Sequence, residues 1–561
     1  MHMEKKNNNS YLLVAIVFII IVGSIIFYSL DSNNSRSFLS DEIVLLYTSD
    51  VHCYVDQNIG YSGLAAYKKS IKETNPNVVL IDCGDAIQGE YIGTIAKGEF
   101  IVDLMNKVGY DLAVLGNHEF DYGMDSLKTV ISRSKAKYLN CNITYSGNNT
   151  NALADTASYT VLTYGKTKIG FVGVTTPGTT NTSTPLFFQE NGKFVYDFKS
   201  HNQGKDLFDS VQTSVDSCLA EGAHYVVVLS HLGTGTGYEP YTANNMISNT
   251  KGIDIVLDGH SHSIIPTMTI KNKEGKDVIL TSCGEKLRNI GKVTISSKGI
   301  STELITNYAN KENEINEFIS SIRATYSGEL KKVIGTSTTH LSLYDDKYVR
   351  LIRNRETNLG DWCTDALLFA SHGDLALFNG GSIRADIKKN TITVGDLKDV
   401  NGFDNMICKA KVTGQEILDA LEMSYKNTLN VVTVDGKWSV GEFGGFFQVS
   451  GIKCTIDTSD PSFVIVDDNG MFEKVNGARR VKDVMIKENG EYVPIDPKKE
   501  YVLVSTDYLI KESGDGINIF ANHQMIEDSI ISVTQAYIDY FQHLNGDLSA
   551  YEKPQGRITV K

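Results

Sequence analysis

The sequence predicts an α/β protein of two domains preceded by one transmembrane helix. Three observations lead there. The chain has 561 residues, more than one hydrophobic core usually serves. Short apolar runs alternate with helix-patterned segments, the rhythm of an α/β fold. Near the N-terminus, residues 11–30 form an apolar stretch without a charge.

Composition narrows the class. With 41% hydrophobic and 21% charged residues, the chain is that of an ordinary globular protein, so both halves should fold. A net charge of -14 argues against a general nucleic-acid binder, which needs basic surface to neutralise phosphates, so no nucleic-acid polymer is expected as a partner. A small phosphate ester is still allowed, because bound metal ions and a few arginines set the local field.

Lys5 and Lys6 precede the uncharged run. At about 1.5 Å per residue, a helix of that length crosses a ~30 Å hydrocarbon core. A signal peptide has a shorter apolar stretch, about 7 to 15 residues, followed by a small-residue cleavage site. Here the run ends in Phe27-Tyr28-Ser29-Leu30, which reads as an uncleaved anchor; secretion after signal cleavage is the alternative. The positive-inside rule places residues 1–10 in the cytoplasm and everything after Asp31 outside it. Residues 31–40 read as a polar linker.

A first domain is expected over residues 41–310. Its apolar runs, at 43–47, 78–81, 112–115, 169–174, 225–229 and 253–257, are rich in Val, Ile and Leu and read as buried strands. Residues 98–108 and 206–220 carry helical spacing. Residues 311–332 are polar and helix-prone, and read as a linker helix. The second domain, 333–561, has its own strands (375–378, 501–505) and helices (357–370, 414–426). The eight cysteines show neither a CxxC pair nor regular spacing, so they give no disulfide framework and read as mostly buried small apolar residues.

The residues just past the apolar runs carry the chemistry. Asp50 and His52 come after the first run, Asp85 after the second, Asn117 and His118 after the third, His231 after the fifth, and His260 and His262 after the sixth. A lone histidine there is usually a hydrogen-bonded surface or core residue, and a lone aspartate a turn or helix cap. Five metal-compatible pieces at successive strand ends are another matter, since α/β folds gather their ligands at such ends. Two divalent ions need several oxygen and nitrogen donors, usually with one carboxylate bridging both. Asp85 is the natural bridge, with Asp50 and His52 on one side and Asn117 and His231 on the other. His260 and His262 lie on one side of an extended segment.

In this order Asp50-Val51-His52, Gly84-Asp85, Gly116-Asn117-His118-Glu119, His231 and Gly259-His260-Ser261-His262 resemble the calcineurin-like metallophosphoesterase superfamily. The chain after the anchor resembles its 5′-nucleotidase and UDP-sugar hydrolase family. That resemblance implies a four-layer α/β/β/α first domain and a C-terminal α/β nucleotide-binding domain. It implies Asp50, His52, Asp85 and His262 around one metal ion, and Asp85, Asn117, His231 and His260 around the other. The ions would be Zn, Mn, Co or Fe, and their shared hydroxide would attack phosphorus. His118 would act on the transferring phosphoryl group or the leaving oxygen, oriented by Asp121.

In the second domain Arg353 and Arg355 precede a helix, and Asn379-Gly380-Gly381-Ser382-Ile383-Arg384 is a glycine-rich turn ending in arginine. Guanidinium groups match phosphate oxygens bidentately, which suggests an anion site, although such arginines are as often surface ion-pair residues. The resemblance makes Arg353, Asn379 and Arg384 substrate contacts, Phe403 and Tyr508 a clamp for a nucleobase, and Asp515 an acceptor for the ribose hydroxyls. Two departures stand out. Cys53 replaces the glycine usual after the first histidine, and the segment from Tyr508 to Asp515 is one residue longer than the family pattern. The implied activity is removal of the 5′-phosphate of nucleotides, extending to UDP-sugars or other nucleotide phosphoesters. A 2′,3′-cyclic nucleotide 2′-phosphodiesterase with 3′-nucleotidase activity is the close alternative, disfavoured by Asp121. A catalytically silent nucleotide-binding surface protein is the third, disfavoured because no expected ligand is missing.

Overall fold

A computed structural model describes residues 42–561 except 236–238, 404, 435–437 and 522. The anchor, the cytoplasmic N-terminus and the linker expected over residues 1–40 lie outside the described residues. Among the described residues no helix is long and apolar enough to cross a membrane.

Two six-stranded sheets face each other in the first domain. In one, Ile43–Thr48, Val78–Asp82, Leu112–Val114 and Lys137–Leu139 run parallel, and Ile290–Ser296 and Gly299–Ile305 close the other edge antiparallel. In the other, Thr167–Thr175, Tyr225–His231, Ile255–Asp258 and Asp277–Cys283 run parallel, between antiparallel edges Tyr159–Tyr164 and Ile264–Lys271. Side chains alternate across a strand, so each central strand feeds two cores. Leu45 and Tyr47 meet Phe171, Val227 and Leu257 between the sheets. Val44 and Leu46 point the other way, toward helices Gly60–Lys72, Glu99–Val108 and Met124–Arg133. Helices Lys205–Ala220 and Ala243–Asn249 cover the outer face of the second sheet. The order is helix, sheet, sheet, helix. Burial on both faces is why these strands appear in the sequence as continuous Val/Ile/Leu runs.

Residues 313–330 do form a helix, Asn313–Leu330, but it buries Ile315, Ile319 and Ile322 in the first domain's core, so it is a packed element of that domain as well as a connection. The second domain is built on a five-stranded mixed sheet in the order Phe447–Ser450, Leu375–Asn379, Glu500–Thr506, Ile407–Thr413, Met525–Glu527. Helices Asn358–Ser371 and Gly414–Ser424 pack in the two cores that line its faces. Both begin at threonine caps: the Thr357 side chain accepts the N–H of Gly360, and Thr413 forms a capping box with Glu416. All eight cysteines are free, and seven are buried.

Candidate active site

The parallel strands of both sheets end at one edge, and the predicted donors lie at that edge (His231, the last residue of its strand) or just beyond it. His231 Nε2 is 3.1 Å from Asp85 Oδ2 and 4.0 Å from Asp50 Oδ1. His262 Nε2 is 3.5 Å from Asp50 Oδ1 and 3.2 Å from His52 Nε2, and His52 Nε2 lies 3.9 Å from Asp85 Oδ2. Donor atoms within 4.8 Å of one another form three groups: Asp50, His52 and His262; His52, Asp85 and His118; Asp85, His231 and His260. Asp85 joins two of them, as a bridging carboxylate must.

The donors fit divalent cations. Asn117 Oδ1 is buried with no hydrogen-bond partner, an arrangement that costs stability unless something else satisfies it. His52 Nδ1 lies 3.0 Å from the carbonyl oxygen of Gln88, and His231 Nδ1 2.6 Å from that of Cys83. A carbonyl only accepts, so each proton sits on Nδ1 and each Nε2 faces the cluster. Burial lowers the His260 imidazole well below its ordinary range and the His262 imidazole to about 4, favouring the neutral form that binds metal. Burial would lower His231 too, yet Asp85 and Asp50 raise it to about 10: these carboxylates demand positive charge at this point.

Local backbone shape brings the donors in. Asp50, His52, Asp85, His260 and His262 all have φ between 50 and 73°, a left-handed conformation that L side chains rarely adopt and that concentrates at functional sites. Two glycines let the loops touch. A Cβ on Gly84 would stand 2.6 Å from the Gly116 nitrogen and 2.7 Å from His231 Nδ1, and one on Gly116 would overlap Asp85 Oδ1. Cys53 keeps the left-handed turn (φ 64°) where a glycine was expected. Its thiol turns into the core and donates to the Ala86 carbonyl at 3.5 Å, in space left by Gly93, where a Cβ would overlap it. The thiol is outside the three donor groups.

His118 stands at the cluster's open side. Its Nδ1 is 2.5 Å from Asp121 Oδ2, Ser183 Oγ donates to Asp121 Oδ1 at 2.8 Å, and the His118 backbone N–H donates to Asp85 Oδ1 at 2.8 Å. Above it lies a cleft of about 820 Å³ between the domains, lined on one side by Asp85, Asn117, His118, Asp121, His260 and His262. Asp50, His52 and His231 are buried behind these residues, in contact with Asp85 and His262. Arg353, Asn379, Arg384, Phe403, Tyr508 and Asp515 line the opposite wall. Arg384 stacks 5.6 Å over Phe403 and brings Nη2 to 3.4 Å from His52 Nδ1, while the Phe403 and His118 ring centroids are 6.0 Å apart. Asn379 Nδ2 donates to Asp515 Oδ2 at 2.8 Å, and the Asp515 N–H donates to the Tyr508 hydroxyl at 3.1 Å. Tyr508 and Asp515, at the two ends of the longer segment, both line the cleft, and Gly514 packs against the Tyr508 ring, where a Cβ would overlap it. Burial lifts the Asp515 carboxyl to about 7, opposed by Arg353 and Asn379.

Residues 43–263 match the calcineurin-like phosphoesterase profile, and residues 333–522 match that of the 5′-nucleotidase C-terminal domain. The chain belongs to the 5′-nucleotidase family. It is a metal-dependent phosphoester hydrolase of that type. It is 26% identical to the 5′-nucleotidase of Bos taurus, over 92% of this chain and 90% of that one. It is also 26% identical to the trifunctional nucleotide phosphoesterase protein YfkN of Bacillus subtilis, over 92% of this chain but only 35% of that longer protein. The 5′-nucleotidase precursor from Thermus thermophilus superposes with a TM-score of 0.76 at 26% identity, covering 92% of this chain and 99% of that one. A sulfate thiohydrolase from the same organism, SoxB, shares the fold alone, with a TM-score of 0.67 at 17% identity over 92% and 96% of the two chains.

In this 5′-nucleotidase-family site the structure adds two carboxylates that sequence reasoning left without a role. Glu119 accepts backbone N–H groups of Asp85 at 2.8 Å, Ala86 at 2.8 Å and Gly116 at 2.7 Å, tying together the loops that carry Asp85 and Asn117. The signal was its place inside the Gly116–Glu119 motif. Glu285 Oε2 lies 3.0 Å from His262 Nδ1, which leaves Nε2 turned to the cluster. Nothing in the sequence marked it.

Proposed function

We propose that this protein removes the 5′-phosphate of nucleotides outside the cytoplasm, held at the membrane by residues 11–30. The observation that carries the proposal is Arg384: it reaches within 3.4 Å of His52 from the wall that also holds Phe403, Tyr508 and Asp515. One cleft thus joins a metal-donor cluster to groups suited to a nucleoside. Asp50, His52, Asp85 and His262 would hold one divalent ion, and Asp85, Asn117, His231 and His260 the other. When bound, such ions supply an activated water at neutral pH and neutralise charge on the phosphoryl oxygens.

The chain's own residues do the rest. Arg384 and Arg353 offer planar donors to the phosphate. Phe403 and Tyr508 present aromatic faces to the base, which is why the clamp tolerates different bases. Asp515 accepts from the ribose hydroxyls. His118, its Nδ1 held by Asp121, keeps Nε2 for the phosphoryl group or for protonating the leaving oxygen. UDP-sugars and other nucleotide phosphoesters fall within the same chemistry. A second reading, cleavage of 2′,3′-cyclic nucleotides and 3′-nucleotides, draws on the match to the Bacillus subtilis protein described as trifunctional.

Intact cells producing the full chain should release phosphate from added 5′-AMP with Mn²⁺ or Co²⁺, the activity should sediment with membranes, and chelator should stop it. Absence of metal-dependent release from any nucleotide would sink the proposal, and faster turnover of 3′-AMP or 2′,3′-cyclic AMP would favour the second reading. Replacing His118 by Asn should lower kcat by about 10²- to 10⁴-fold with little change in KM, the range for loss of a general acid or base. Asp121→Asn should cost less, about 10- to 100-fold, and displace the pH profile of kcat. An unchanged pH profile in that variant would limit Asp121 to a turn residue.

A further inference from the structure

The cleft wall holds one more cation. Lys426, just past the end of helix Gly414–Ser424, is half-buried and lines the cleft beside Phe443. Its Nζ lies 4.7 Å from the centre of the Phe443 ring. Among the described residues the only hydrogen-bond acceptor it reaches is the Met423 thioether, 3.5 Å away and weak. Phe443 and Asp515 share this wall: a Cβ on Gly445 would stand 2.6 Å from the Phe443 ring and 2.8 Å from Asp515 Cβ. Burial lowers the Lys426 ammonium to about 8, opposed by the nearby Asp515 carboxylate. A desolvated ammonium with one face on an aromatic ring and no oxygen acceptor is a half-made interaction. Its remaining N–H bonds have the cleft to fill.

Resting on the nucleotidase reading above, we propose that Lys426 donates to a carbonyl oxygen on the edge of the nucleobase, so the site prefers bases with a keto group over those with an amino group in its place. The pairs that differ in this way are 6-oxopurines against 6-aminopurines and 4-oxopyrimidines against 4-aminopyrimidines. A base clamped by its faces between Phe403 and Tyr508 presents its edge to the surrounding wall. A carbonyl accepts from an ammonium; an amino group is itself a donor, and facing Lys426 it would leave both groups desolvated and unpaired. A second phosphate on the ribose is the less favourable occupant, since it would bring a dianion beside the Asp515 carboxylate.

The test compares kcat/KM for inosine and adenosine 5′-monophosphates, and for uridine and cytidine 5′-monophosphates, in the full-length protein and in Lys426→Arg and Lys426→Met. The ratio within each pair is read in one preparation, so any unfolded fraction cancels. The wild type should favour the keto member of each pair by about tenfold or more, as expected for a charge-assisted hydrogen bond. Lys426→Arg should keep the direction, and Lys426→Met should bring both ratios close to one. Ratios in Lys426→Met equal to those of the wild type, or a wild type that favours the amino member, overturn this inference while the nucleotidase reading stands. A wild type that cleaves bis(p-nitrophenyl) phosphate but no nucleotide overturns both.

Discussion

Replacing Asp85 by alanine should lower kcat/KM by about 10³- to 10⁵-fold, because metal ions supply several kcal/mol of transition-state stabilisation and each ~1.4 kcal/mol is a factor of ten. Asp85 is the one residue that joins two of the donor groups through a carboxylate. Its Oδ2 lies 3.1 Å from His231 Nε2, and its Oδ1 accepts the N–H of His118 at 2.8 Å. Alanine would therefore remove the shared ligand and also release the loop that carries Asn117 and His118. Metal content, measured by mass spectrometry on the purified protein, should fall together with phosphate release. A variant that keeps two ions per chain and activity within tenfold of the wild type would show that Asp85 is no bridge.

Glu119→Ala should act first on stability. The Glu119 carboxylate is buried and accepts three short backbone hydrogen bonds, from Asp85, Ala86 and Gly116, with a fourth, longer one of 3.4 Å from Ile87. A buried donor left unpaired costs roughly 1–3 kcal/mol. Three together approach the whole stability of a typical domain, about 5–15 kcal/mol. Thermal melting should thus begin far lower, or folded protein should fail to accumulate, and added metal should not restore activity at temperatures where the wild type is stable. Glu119→Gln keeps one acceptor oxygen but turns an NH₂ toward the other donors, and should fall between. A melting temperature within a few degrees of the wild type in Glu119→Ala would mean that water replaces the carboxylate.

Much of the first domain was legible because its strands are buried on both faces. Residues 43–47, 78–81 and 225–229 lie within strands Ile43–Thr48, Val78–Asp82 and Tyr225–His231, and the remaining boundaries differ by one or two residues, as expected where the ends of strands fray into loops. The antiparallel edges were not legible. Ile264–Lys271 is largely solvent-facing, and Gly299–Ile305 alternates exposed with half-buried residues, so they lack the continuous apolar run that marks the central strands. Residues 311–332 showed helical character, but only packing revealed that Ile315, Ile319 and Ile322 belong to the first domain's core.

At the site the division is chemical. By itself the sequence determined the donor types and their order, Asp50 to His262, because metal chemistry needs those side chains and α/β strands deliver them at their ends. It also carried the glycines, Gly84 and Gly116, without which the loops collide. Only the tertiary structure decided that Glu285 backs His262, that Gly93 leaves space for Cys53, and that Arg384, more than three hundred residues after His52, ends 3.4 Å from it. Such pairings depend on which loops two separate cores set face to face. Local spacing holds no record of that, because side-chain type is written in the chain, whereas proximity arises from packing.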